Sequence, residues 1–197
     1  GKCMITFGVT GQARACAQNL AEAKRRIRAA GGVHVGTLLG KKWEESRFRS
    51  PYLRHGLWEH GYAVDTLETC VDWTRVQDTV ATIEQAIRDN CGDDGKVHVF
   101  THLSHLYPQG SSIYTTYVFR CSASYEETRT RWAQMKKAAS DAIATMGGTI
   151  SHQHGVGRDH APWLKHEKTE QGIAVLDTLV RHFDPTRQMN PGCLLEK

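Results

Sequence analysis

Between Ala63 and Ser151 the hydrophobic period of the chain switches between two and about 3.6 residues, in the order strand, helix, strand, strand, helix, strand. Few folds accept that order. Ala63 to Cys70 alternates, with Ala63, Asp65, Leu67 and Thr69 on one face and Val64, Thr66, Glu68 and Cys70 on the other. Asp72-Trp73-Thr74 then caps a helix from Arg75 to Asn90, whose Val76, Thr79, Val80, Ile83 and Ile87 share a face. A turn, Cys91 to Gly95, leads to a strand from Lys96 to Leu106. Tyr107-Pro108-Gln109-Gly110 joins it tightly to a strand from Ser112 to Cys121. The longest helix runs from Ser124 to Met146. Ser124 and Glu127 form a capping box at its start, and Gly147-Gly148 stops it before a short strand, Thr149 to Ser151.

The flanks extend this pattern. Cys3 to Val9 and Val33 to Leu39 read as strands around a helix from Gln12 to Ala30, a β-α-β unit. Lys41 to Arg49 is charged and irregular, and Ser50-Pro51 opens a short helix, Tyr52 to His60. A C-terminal helix runs from Ala161 to about Phe183, where Asp184-Pro185 breaks it, and the apolar tail Gln188 to Leu195 reads as docked. Two split β-α-β halves predict an α+β fold: a ferredoxin-like antiparallel sheet with helices on one face, plus a C-terminal helical extension. The expected division is 1–150 for that domain and 151–197 for a loop, helix and tail. A chain that opens inside a strand reads as a piece of something longer.

Composition excludes several classes. A net charge of +4 without a Lys/Arg run argues against nucleic acid and fits an anionic ligand. No apolar run has the length of a membrane span, and no signal-peptide pattern opens the chain. The six cysteines form no C-x-x-C pair, so a zinc or disulfide framework is not expected, and free thiols in a reducing cytoplasm are. Neither nucleotide-binding glycine motif is present, and no Ser-His-Asp or Cys-His-Asn arrangement is specified.

Six of the eleven histidines fall in two groups, His98, His102 and His105, and His152, His154 and His160. In an extended Ser151 to Arg158 stretch, His152 and His154 would point one way and Gln153 the other. Gly155 and Gly157 would let backbone N–H groups approach a ligand. A polar loop with incidental histidines and a turn that holds a small anion or ring both remain open. His102 and His105, three apart on a strand, would face opposite sides, which opposes joint metal ligation. Tyr114 and Tyr117 would likewise be split between the core and the far face. Arg54 reads either as a solvated helix arginine or as an inward guanidinium gripping an anion. Glu68 reads as a solvent-facing or paired carboxylate.

Six short blocks resemble a known family in order and spacing. They are Arg47-Phe48 with Pro51-Tyr52-Leu53-Arg54; Leu67-Glu68-Thr69 with Asp72-Trp73; Ser104-His105 with Tyr107, Gly110 and Ile113-Tyr114; Gly147-Gly148-Thr149-Ile150; Ser151 to Gly157 with Trp163-Leu164; and Asp184-Pro185 with Asn190-Pro191-Gly192. Together they resemble the C-terminal part of FAD-linked oxidases of the vanillyl-alcohol-oxidase superfamily, in its alkyldihydroxyacetonephosphate synthase branch. The resemblance implies a cap over FAD, with the FAD-binding domain elsewhere in the same protein or on a partner chain, a small-molecule substrate, no nucleic acid, and compatibility with a homodimer. It implies Tyr114, His152 and His154 as catalytic residues and Arg54, His105 and Arg158 as substrate-binding residues. Gln153, Gly155 and Asn190 would lie on the cofactor side. Gln153 replaces the middle of the synthase's three consecutive histidines, and His55 replaces the acidic residue usual after the arginine. Dehydrogenase relatives bind a divalent metal at positions that are His105, Tyr114 and Gln153 in this chain, and that set implies no metal.

The implied activity is CH–OH oxidation of a small, hydroxylated, anionic substrate by an FAD-dependent oxidoreductase. Ether-lipid synthesis without net redox is the alternative, and a non-catalytic ferredoxin-like binding module is the third reading.

Overall fold

The computed structural model describes residues 4–92 and 96–195. Cys3 and the Asp93–Gly95 part of the expected turn lie outside the described residues. The chain divides into a unit from Gly1 to His55 and a unit from Gly56 to Lys197. The expected boundary at 150/151 runs inside the second unit.

The first unit is helical. Helix α1 spans Ala13–Ala29 and α2 spans Leu38–Ser46, and neither has a buried residue. A 3-10 turn, Arg47–Arg49, leads into α3, Ser50–Glu59, within which the unit ends. The strands expected at Cys3 to Val9 and Val33 to Leu39 do not form in its described residues, so neither does the first β-α-β unit. Strand propensity reflects a fit to a half-buried pleated surface. Met4, Ile5, Phe7, Val33 and Val35 are all exposed, so these segments have no such surface to join. Leu38 and Leu39, followed by Lys41, Lys42, Glu44 and Glu45, favour a helix on intrinsic propensity, and α2 replaces both the end of the expected strand and the irregular stretch.

The second unit holds the sheet. Strands β1, Tyr62–Asp72, β2, Val97–His102, and β3, Gly110–Arg120, pair antiparallel in the order β1-β3-β2. Helix α4, Val76–Asp89, follows β1, and α5, Tyr125–Thr145, follows β3. Both pack on one face, as the β-α-β-β-α order requires. The period-two pattern sorts the residues. Leu67, Thr69 and Val71 of β1 and Ile113, Thr115, Tyr117 and Phe119 of β3 face the helices and are buried. Ile83, Ile87, Met135 and Ile143 meet them from α4 and α5. Burying each such aliphatic side chain is worth roughly 1.5–3 kcal/mol, so this layer carries the domain.

One carboxylate sits in that layer. Asp65 Oδ2 accepts from Tyr117 Oη at 3.0 Å, Trp132 Nε1 at 2.7 Å and Lys136 Nζ at 3.1 Å. Burial pushes the Asp65 carboxyl up, but the Lys136 charge and the Trp132 N–H outweigh it and hold it below the ordinary range.

Helix α5 starts as its sequence dictates, with Ser124 Oγ accepting from the Glu127 N–H at 3.2 Å. After Gly147-Gly148 the chain returns along the free edge of β1. Thr149 N–H donates to Cys70 O at 3.2 Å and His152 N–H to Glu68 O at 2.9 Å. The expected strand, Thr149 to Ser151, is not a regular strand, yet it lies where a fourth strand would. Gly148 explains the fit: a Cβ there would stand 2.4 Å from Thr69 Oγ1. That hydroxyl donates to Thr149 O at 2.8 Å and pins the return.

Helix α6, Leu164–Phe183, follows a 3-10 turn, Ala161–Trp163, and Thr169 breaks its helical geometry with φ 61. The tail is docked, with Leu194 N–H donating to Gly157 O at 2.9 Å and Leu195 buried.

Candidate functional site

The face of the sheet away from α4 and α5 carries polar residues in register. Glu68 of β1 is the partner of Tyr114 in β3, and Tyr114 is the partner of His102 in β2. These three alternate outward because their neighbours point into the core. Tyr114 stacks on His102 with ring centroids 4.9 Å apart.

Glu68 is the centre. Its side chain is only 3% exposed although it lies opposite the core face. Two segments cover it, the 103–107 connection and the 152–154 turn. Ser104 Oγ donates to Glu68 Oε1. Ser112 Oγ lies 2.6 Å from Ser104 Oγ and accepts the His105 N–H at 2.8 Å, which fixes the connection. Three imidazoles ring the carboxylate. His105 Nδ1 and His152 Nδ1 each lie 3.5 Å from Oε1, and His154 Nε2 lies 3.4 Å from Oε2. Burial pushes the Glu68 carboxyl up. The Ser104 and Ser112 hydrogen bonds and the charges of His152 and His154 outweigh it, and the group stays ionised below the ordinary glutamate range.

A three-residue turn aims two of those histidines. His154 N–H donates to His152 O at 2.8 Å, with Gln153 at φ 61 between them. Both imidazoles thus reach Glu68 while Gln153 is exposed. The expected outcome holds by a different cause, since a tight turn and not an extended segment sets the directions. A non-glycine residue in the left-handed region costs of order 1 kcal/mol, and such strain persists where surrounding bonds over-determine it. Here Ser151 Oγ donates to Gly155 O at 2.8 Å, and Glu167 Oε2 accepts from Ile150 N–H at 3.0 Å.

Beside the cluster is a cavity of about 490 Å³ whose wall includes Lys136, His154, Gly155, Gly157, Arg158 and Asn190. Arg158 Nε donates to Pro191 O at 3.1 Å, which fixes the guanidinium at the rim.

Tyr114, His105, His152 and His154 therefore converge on Glu68, with the Tyr114 and His154 rings edge to face at 5.2 Å. Arg158, Gly155 and Asn190 line the adjoining cavity. Arg54 belongs to the first unit, on an exposed part of α3. Two expectations are corrected. Glu68 is neither solvent-facing nor simply paired: it is the buried hub. His105 is not split from the cluster by strand parity, because β2 ends at His102 and the residues after it no longer alternate. Tyr107, which gave no chemical signal in the sequence, contacts His152 Nε2 through its hydroxyl at 3.2 Å.

The α+β domain thus gathers a buried carboxylate and three imidazoles on its far sheet face, beside a cavity. Residues 1–194 match the family described as FAD linked oxidases, C-terminal domain, and the chain belongs to it. It is 32% identical to an alkyldihydroxyacetonephosphate synthase of Dictyostelium discoideum over 82% of this chain and 26% of that protein. It is 25% identical to the uncharacterized FAD-linked oxidoreductase YgcU of Escherichia coli O157:H7, over 98% of this chain and 42% of the relative. A solved structure of an alkyldihydroxyacetonephosphate synthase shares the fold with a TM-score of 0.60 and 21% identity, over 93% of this chain and 30% of its own. The chain thus spans about a quarter of the length of the synthase it matches by sequence.

The family is described as FAD linked oxidases, and the part that this chain matches is their C-terminal domain. A Cβ on Gly155 or Gly157 would meet nothing within 4 Å, so the backbone there is open to a closely approaching group.

Proposed function

We propose that this chain is the substrate-facing cap of an FAD-dependent oxidoreductase acting on a small, hydroxylated, anionic substrate. The observation that carries the reading is Glu68 buried beneath His105, His152 and His154 at 3.4–3.5 Å. In the tautomer that carries its proton on Nε2, toward Glu68 Oε2, His154 keeps Nδ1 as the acceptor for the substrate's hydroxyl proton. Glu68 stabilises the imidazolium that results, and Tyr114 supplies a phenol beside it. Arg158, fixed at the cavity rim, receives the substrate's anionic group. Gln153, Gly155 and Asn190 form the cofactor side. FAD, when bound, supplies the two-electron acceptor for hydride leaving the carbon. Segment 151–197 packs toward the FAD-binding domain, and the exposed apolar residues of the first unit, among them Trp43, Phe48 and Leu53, support such a docking partner.

The synthase match at 32% identity favours a second reading, in which the same groups activate an acylated dihydroxyacetone phosphate for exchange with a fatty alcohol. Anaerobic mixing of the intact flavoprotein with small 2-hydroxy acids separates the two. The oxidoreductase reading expects bleaching of the flavin band by one of them. Absence of bleaching, with exchange of a radiolabelled long-chain alcohol into acyl-dihydroxyacetone phosphate, would establish the synthase reading. A colourless intact protein would leave only a binding module.

A further inference from the structure

Each imidazole around Glu68 needs a second contact to fix its ring. Directional hydrogen bonds run to about 3.2 Å. Glu68 stands 3.4–3.5 Å from all three imidazole nitrogens, so its pull is ionic and sets distance more than ring angle. His105 has its own fastener, since its Nδ1 lies 3.2 Å from Ser104 Oγ. The His154 ring lies edge to face with Tyr114. For His152 the second contact is Tyr107. His152 Nδ1 is buried without a hydrogen-bond partner, and its Nε2 lies 3.2 Å from the Tyr107 hydroxyl. A phenol both donates and accepts, so it holds that nitrogen in either tautomer.

The backbone aims the phenol. Tyr107 O accepts from Trp73 Nε1 at 3.0 Å, and Tyr107 N–H donates to Gly110 O at 2.9 Å. Trp73 N–H donates to Gln109 O at 3.2 Å. A Cβ on Gly110 would collide with the Val71 carbonyl, so the turn lies tight against β1. Tyr107 is therefore tied to the strand that carries Glu68, and its ring stands edge to face with His152, centroids 5.8 Å apart.

We infer that Tyr107 is a positioning residue: its hydroxyl fixes the His152 ring and, through the 152–154 turn, sets the aim of His154 at Glu68 and the substrate. The link is short. His154 N–H donates to His152 O with Gln153 held at φ 61 between them, so a rotation of His152 passes into the turn. Tyr107 itself lines a different cavity, of about 260 Å³, with Cys70, Asp72, Arg75 and Gln109. It acts on the proton acceptor through His152 and not on the substrate. The inference rests on the reading of His154 as that acceptor.

Tyr107→Phe keeps the ring and removes the hydroxyl. In the intact protein labelled with ¹⁵N in its histidine rings, the variant should shift the ring signals of His152 and His154 and leave those of His105, which Ser104 holds. In stopped flow with a substrate that bleaches the parent, the limiting rate of flavin reduction should fall about tenfold. Half-saturation should stay the same, because Arg158 still holds the anion. Tyr125→Phe, at the exposed start of α5, should match the parent in both measurements. His154 signals at their parent positions, all three histidines shifting together, or an unchanged limiting rate would each overturn the inference. If no substrate bleaches the parent, the oxidoreductase reading fails and the ring spectra alone decide the role of Tyr107.

Discussion

At the scale of single residues, Glu68 decides what the histidines do. Three imidazoles within 3.5 Å of one buried carboxylate are oriented by it. Glu68→Gln keeps the size of the side chain and a Ser104 acceptor but removes the charge that stabilises imidazolium. The rate of flavin reduction should fall about 100-fold, as for loss of a general base's support, with little change in thermal midpoint. Stopped-flow reduction and a melting curve on the same variant check this, and an unchanged rate would remove Glu68 from proton transfer. The motif around Gly155 pairs His152 with His154, and parity splits Tyr114 from Tyr117 without saying which of them faces the core. Glu68 was not legible as the hub, since alternation assigns it a face without saying what covers that face. The covering segments, 103–107 and 152–154, are irregular, and local pattern does not place them.

At the scale of elements, the return of the chain along β1 is what brings the turn to the hub. Gly148 permits it by close approach to Thr69, and the Thr69 hydroxyl locks it. Gly148→Ala forces a methyl group against Thr69 Oγ1, Ile143 and Val71. The expected cost is about 1–3 kcal/mol, with a lowered midpoint in urea and a weaker response of the flavin to substrate, because the 152–154 turn shifts with the edge. A variant as stable and as responsive as the parent would show that the edge pairing does not set the turn. The elements of the second unit were legible almost throughout. Strands β1 and β3 lie within two residues of where their patterns put them, α4 carries an apolar face and α5 a capping serine. The strands expected in the first unit were not real, because Ile5, Phe7, Val33 and Val35 have β-propensity but no sheet to join.

At the scale of the whole molecule, the half-buried Asp65 and the buried His160 contribute to the acid limit of stability. Asp65 has its carboxyl held down by Lys136 and Trp132 against the opposing effect of burial. Its stabilisation is present above the ordinary carboxylate range and is lost as the pH falls through the lowered folded value. His160 is pushed down by burial and by the Lys136 charge. It stays neutral in the fold while the unfolded chain takes up a proton, so it too loses stability as the pH drops below the ordinary histidine value. Both act in the same direction. The melting temperature of the intact protein should fall from pH 7 to pH 5 and fall further to pH 4. A melting temperature that rises over that range would mean these groups do not govern it. Among the described residues Cys16, Cys70, Cys91, Cys121 and Cys193 are free thiols.

The central claim is that this domain hands a substrate proton to His154 under the control of Glu68, over a flavin held by another domain. Anaerobic flavin reduction in the intact His154→Ala protein tests it most directly, using a substrate that bleaches the parent. The variant should retain its bound flavin and visible spectrum yet reduce it at least 100-fold more slowly. Bleaching at the parent rate would contradict the claim.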